Sequence, residues 1–177
     1  MPFDGERSWR YGNDGMNFEL LVEKVDAQLI DGVEIISIEY SKYDPQELLA
    51  TIDWSSDSIF GIQVHGYTLT NQGGMDFETP VLFADYRMIP GESVTTTTDG
   101  ITFTSTFNAV EMCPNNWVSE ENAWECLHFT VESDSTTGTF PFVGEWWIAN
   151  TWGPSRFVTP EGTFGSENTW ILSQADY

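Results

Sequence analysis

Between Glu92 and Met112 apolar and polar residues alternate with the strongest period-two pattern in the chain. Val94, Thr96 and Thr98 lead to Asp99-Gly100, after which Ile101, Phe103, Ser105, Phe107 and Ala109 interleave with Thr102, Thr104 and Thr106. Successive side chains of an extended strand point to opposite faces, so this pattern gives one face to a core and the other to water. Asp-Gly between two such runs is a hairpin signal, because both central residues of a type I′ turn need positive φ. The segment commits its part of the chain to antiparallel pairing.

The same signs recur in every quarter of the sequence. Asp31-Gly32 and Pro160-Glu161-Gly162 separate apolar-rich runs, and Phe60, Ile62, Val64, then Leu127, Phe129, Val131, then Trp170, Leu172 repeat the alternation. A chain of 177 residues suits a single core. The expected architecture is therefore one all-β or β-dominated domain over 1–177. A mostly antiparallel, curved sheet would form a half-barrel or barrel, with at most one or two short helices. Phe18, Leu21, Val22, Val25 and Leu29 fit helical spacing as well as a strand. A strand is preferred because Asp31-Gly32 and the β-branched run Val33, Ile35, Ile36, Ile38 complete a hairpin. Asp44-Pro45-Gln46-Glu47 has the order of an N-cap, a first-turn proline and a capping glutamate, which predicts about two helical turns over Asp44–Ala50. Asn71 to Thr79 and Met112 to Ala123 read as long loops.

Composition limits the partners. Six Lys and Arg face 28 Asp and Glu, a formal charge of -22 that repels nucleic-acid phosphates and anionic membranes alike. No nucleic acid is expected to bind. Aromatic residues at 15% exclude a disordered reading, since each buries much apolar area. No apolar run approaches the roughly 18 to 20 residues of a membrane-spanning helix. The first residues lack the order of an export signal, which is compatible with a mature segment whose signal has been removed. Cys113 and Cys126 are the only cysteines. Their pairing implies an oxidising compartment and would contribute up to about 3 kcal/mol, the alternative being two buried thiols.

Candidate sites are few. Trp146, Trp147 and Trp152, with Trp117 and Trp124 as neighbours, form an aromatic group suited to sugars or flat apolar molecules. Trp146 and Trp147 are adjacent, so at most one can point at a given cavity. Trp117, in a polar stretch, is the better exposed anchor. The candidate ligand-binding residues are thus Trp117, Trp124, Trp147 and Trp152. Cys126 and His128 share a strand face, yet two Cys and two His fall short of a tetrahedral metal site, and a disulfide uses both thiols. His65 is a candidate general base, but carboxylates are too abundant for any one to be singled out as its partner. Gly-x-Ser-x-Gly, His-Glu-x-x-His and a glycine-rich phosphate loop are absent from the sequence. The chain is expected to be no enzyme and to hold no cofactor and no metal.

The opening Gly5-x-x-x-Trp9-x-Tyr11, the central Met88-Ile89-Pro90-Gly91-Glu92-Ser93 and the late Trp147-x-Ala149-x-x-x-Gly153-Pro154 resemble, in that order, a loose group of bacterial secreted and lipoprotein domains. These are similar to the lipoprotein carriers LolA and LolB, which form an open β half-barrel around an apolar cavity. Asn150-Thr151-Trp152 and the loop from Cys113 to Cys126 depart from that pattern. The resemblance brings no catalytic residues with it. It implies a non-catalytic extracytoplasmic binding protein, periplasmic, secreted or lipid-anchored, that takes a hydrophobic small molecule, a lipid or a lipidated partner on a concave apolar face. The alternatives are a filled barrel that binds an envelope protein as a structural or interaction subunit, and a carbohydrate-binding module.

Overall fold

The structure is a computed structural model that describes residues 8–13, 19–57, 61–114, 124–149, 153–164 and 169–176. Among the described residues the chain forms twelve strands and no helix. They are β1 (Ser8–Gly12), β2 (Leu20–Ile30), β3 (Val33–Lys42), β4 (Glu47–Asp57), β5 (Gly61–Leu69), β6 (Gly73–Ala84), β7 (Ser93–Thr98), β8 (Ile101–Met112), β9 (Glu125–Ser133), β10 (Gly144–Ala149), β11 (Gly153–Val158) and β12 (Thr169–Asp176). Every pairing is antiparallel, in the order β6-β5-β4-β3-β2-β1-β12-β11-β10-β9-β8-β7. Sequential neighbours pair except β6 and β7, which are the two edges, and the ladder between β1 and β12 joins the first and last strands.

The two edges of this sheet, β6 and β7, come together, so the sheet is a nearly closed barrel. Side chains fasten the seam. Thr98 Oγ1 accepts from the Thr79 amide and Thr96 Oγ1 from the Leu82 amide, each at 3.1 Å, while Ser105 Oγ donates to the Phe83 carbonyl at 2.5 Å. The threonine run at 95–98 thus supplies acceptors to strand-edge amides that would otherwise remain open to other chains.

Local chemistry explains the turns. Asp31-Gly32 joins β2 to β3 with φ of 51° and 85°, and Asp99-Gly100 joins β7 to β8 with φ of 52° and 77°, the signs of a type I′ turn. Residues 20–30 are strand; the helical spacing is overridden because Leu20 to Ile30 pair along the whole of β3. Two expectations are corrected. Asp44–Ala50 is no helix: residues 43–46 turn the chain, and Lys42 pairs directly with Glu47, from which the inward alternation Ala50, Ile52, Trp54 runs on. The ladder hydrogen bonds outweigh one local capping pattern. Asn71 to Thr79 is no long loop either, since β6 begins at Gly73 and Phe77 anchors it in the core.

Barrel diameter grows with strand number, and about eight strands already enclose a space that ordinary side chains fill. Twelve strands need larger fillers. Trp9, Trp54, Trp146 and Trp170 are fully buried, as are Phe83, Phe103, Phe129 and Phe157. Trp54 meets Phe83 edge-on at 5.0 Å and Trp146 at 6.1 Å, and Trp146 stacks on Phe157 at 4.7 Å. Connections from odd to even strands all leave at one end of the barrel. There Phe140 and Phe142, between β9 and β10, and Phe164, between β11 and β12, fold inward. Phe140 packs on Phe103 at 5.0 Å, and Phe164 stacks on Tyr40 at 5.1 Å. The high aromatic content is what fills this wide barrel.

Candidate functional site

Cys113 and Cys126 are joined in a disulfide, with Cα atoms 4.9 Å apart. The bond ties the end of β8 to the start of β9. Around it lies a small apolar cluster, separate from the main core, of Cys113, Cys126, Trp147 and Ala149, with Trp124 and Val158 against it. Two of the four candidate tryptophans therefore meet, on the outer face of the barrel. Trp117 and Trp152 lie outside the described residues.

The register explains Trp147. His128 on β9 and Arg156 on β11 are its direct cross-strand partners. The imidazole stacks on the indole with centroids 4.1 Å apart, and the guanidinium carbon lies 4.5 Å from the ring centre. Its Nε1 donates to Glu111 Oε1. The indole is thus held among the chain's own side chains. His128 is flanked by carboxylates, with Nδ1 3.2 Å from Glu111 Oε1 and Nε2 3.6 Å from Glu145 Oε2. Trp146, its neighbour, points the opposite way into the core. Among the described residues no three His, Cys, Asp or Glu side chains are grouped to hold a metal ion.

A second polar constellation surrounds His65. Ile36, Ile38, Ile52, Trp54, Val64 and Phe77 turn inward, so the intervening Ser37, Asp53, Ser55, His65 and Asp76 turn outward. Ser37 on β3 pairs with Asp53 on β4, Asp53 with Gly66 on β5, and Gly66 with Asp76 on β6, which sets four positions in one row. Ser37 Oγ donates to Asp53 Oδ1 at 2.5 Å, and His65 Nε2 lies 2.7 Å from Ser55 Oγ. With Gln28, Ile30 and Ile35 of the β2–β3 hairpin, Ser37, Asp53, His65 and Asp76 line a groove of about 230 Å³. Ser55 is almost fully buried beneath it, which denies that hydroxyl a substrate. The sequence offered His65 but not its companions. Asp53 and Asp76 stand apart in the chain, and only the pairing of four strands brings them together.

Burial holds the His65 pKa below its ordinary 6.5, partly offset by the charge of Asp53. A histidine whose folded pKa is depressed binds fewer protons folded than unfolded as pH falls below 6.5, so it takes stability away in that direction. Denaturant midpoints measured on either side of pH 6.5 should therefore fall more on acidification for the wild type than for His65→Gln. The carboxylates facing it, Asp53 and Asp76, are present in both proteins, so the comparison changes the imidazole alone. Equal pH slopes would contradict this assignment.

The exposed large apolar side chains are unevenly placed. Leu29, Ile30 and Val33 at the β2–β3 hairpin, Ile89 between β6 and β7, and Val110 and Met112 at the end of β8 lie toward the end where even strands pass to odd ones, whereas Val25 lies along β2 and the less exposed Tyr43 and Leu48 lie at the other end. The former is the disulfide end, opposite the inward-folded Phe140, Phe142 and Phe164. Leu29 is 76%, Ile89 63% and Met112 57% exposed. Beside the disulfide, Tyr86, Val110, Glu125 and Leu127 line an open groove of about 390 Å³.

Fold and surface together define an acidic, up-and-down β-barrel with an aromatic filling and most of its exposed apolar side chains toward one end. Comparison with family models, with curated proteins and with solved structures finds no match. No helix among the described residues is long and apolar enough to cross a membrane.

Proposed function

We propose that this is a non-catalytic extracytoplasmic binding protein that takes an acyl chain, free or on a lipidated partner, at the disulfide end of its barrel. The observation that carries this reading is the exposure of Leu29, Ile89, Val110 and Met112 at that end, greater than that of Tyr43 and Leu48 at the opposite end, where Phe140, Phe142 and Phe164 fold inward. Isolated exposed apolar residues are ordinary, but several sharing one end mark a surface that meets something apolar. The groove beside Tyr86 and Val110 falls within the roughly 300 to 1,000 Å³ range of small-molecule sites. The stacked rings inside the barrel favour this outer surface over a lumen ligand. The disulfide agrees with an oxidising, extracytoplasmic location. The likeness to lipoprotein carriers points the same way, toward a lipidated partner.

Titrating delipidated protein with a fluorescent fatty acid and with a diacylated lipopeptide tests the reading. Saturable binding is expected, weakened at least about tenfold by Val110→Ser combined with Met112→Ser, two exposed positions whose change leaves the core intact. An absence of saturable binding, or binding indifferent to that pair, would remove it.

A further inference from the structure

The groove around His65 is amphiphilic in a way that selects a ligand class. One wall is apolar, from Ile30 and Ile35 on the outer face of the β2–β3 hairpin, and the other carries the carboxylates of Asp53 and Asp76. We propose that this groove receives the side chain of a lysine or arginine on an extended basic segment of the protein partner. Long cationic side chains lay their methylene stems along apolar surface and keep the charged head at a polar boundary, which matches the order of groups from the hairpin to the row Ser37, Asp53, Gly66, Asp76. The volume of about 230 Å³ is below that of a drug-sized site and suits one side chain.

Three features prepare the groove for a cation. Ser37 Oγ donates to Asp53 Oδ1 at 2.5 Å, which fixes that carboxylate as an acceptor. Gly66 clears the floor: a Cβ there would stand 2.9 Å from Asp76 Oδ1, so the missing side chain lets the second carboxylate lie across the row. His65 is held toward its neutral form by burial and so does not oppose a positive head group near neutral pH. The formal charge of -22 adds a long-range attraction for a basic partner and disfavours an anionic membrane as occupant. This assignment rests on the binding-protein reading above and adds to it the charge of the partner.

The test uses the whole protein at about 0.15 M salt, where the Debye length of about 8 Å screens the distant field and leaves contact pairs. The probe is a short acetylated, amidated peptide of alternating lysine and valine, compared with serine–valine and glutamate–valine peptides of equal length. Saturable binding of the lysine peptide is expected, with Asp53→Asn plus Asp76→Asn weakening it at least about tenfold. The asparagine at 53 keeps an acceptor for Ser37, and thermal melts check the fold. Glu132→Gln plus Glu161→Gln, exposed positions on β9 and beyond β11, remove the same charge and should change affinity less than about twofold. Ile35→Ser should weaken the lysine peptide without admitting the glutamate peptide. Equal losses in the two charge pairs, equal binding of the serine peptide, or no saturable binding would each overturn the assignment. Acyl-chain titrations on the same variants separate the two readings. If the acyl chain binds and the lysine peptide does not, the groove assignment falls alone. If the reverse holds, the acyl-chain reading falls alone.

Discussion

Trp146→Ala should lower the free energy of unfolding by about 3 to 5 kcal/mol, the range for truncating a large buried aromatic. Trp146 is fully buried at the centre of the barrel, stacked on Phe157 at 4.7 Å and edge-on to Phe83 at 5.4 Å and Trp54 at 6.1 Å. Its Nε1 donates to the Phe142 carbonyl at 2.9 Å, so the truncation also leaves a buried acceptor without its donor. The rings around it come from β4, β6 and β11, and their backbones are held in ladders, so they cannot close the gap. Trp147→Ala is the internal control. That indole lies on the outer face between His128 and Arg156, where water can enter the space it leaves, and the loss should be clearly smaller. Urea unfolding of the two variants checks the prediction; equal losses would mean that the interior is not packed as described.

Replacing Cys113 and Cys126 together by serine should cost about 3 kcal/mol, from the loop-closure entropy of a 13-residue separation. The cross-link restricts the unfolded chain, and it also anchors the patch in which the Cys113 amide donates to the Trp124 carbonyl at 2.8 Å. Denaturant midpoints of the variant and of the wild type, each with and without reductant, give the measurement. The wild type should drop to the variant's value on reduction, while the variant should not respond to reductant. Alkylation before reduction should label no thiol in the native protein. An unchanged midpoint on loss of the bond would show that the cross-link does not stabilise the fold by restricting the unfolded chain.

Much of the fold could be read from residues close together in the chain. The alternation from Val94 to Ala109 and the turn at Asp99-Gly100 are local, and they are β7, its hairpin and β8 as found. The preference for a strand over residues 17–30, of which 20–30 form β2, rests on the next turn and the next strand, also local. Where a short-range signal competed with a ladder, the signal lost. The capping pattern at Asp44 to Glu47 is such a case, because Lys42 and Glu47 were already paired across the turn. Glycines at 73 and 74 suggested a loop, yet they begin a strand whose Phe77 is buried.

The site was less legible for the same reason. Trp147 was visible as an aromatic residue facing away from Trp146, but its neighbours His128 and Arg156 are fixed by the register of β9, β10 and β11. His65 was visible as a single titratable group. Asp53 and Asp76 were two among 28 acidic residues until four strands set them in one row.

From its order of residues alone the chain determined the strand alternation of β7 and β8, the reversals at Asp31-Gly32 and Asp99-Gly100, and which two cysteines can pair, since each depends on groups a few positions apart. Tertiary structure alone decided that β1 meets β12, that threonine hydroxyls fasten β6 to β7, and that the lumen is filled with rings. Those outcomes rest on contacts such as the hydrogen bond from the Tyr11 hydroxyl to the Pro154 carbonyl, 143 residues away, at 2.8 Å. No local period encodes a partner at that distance; it is set when the curved sheet closes and the largest side chains compete for the space inside.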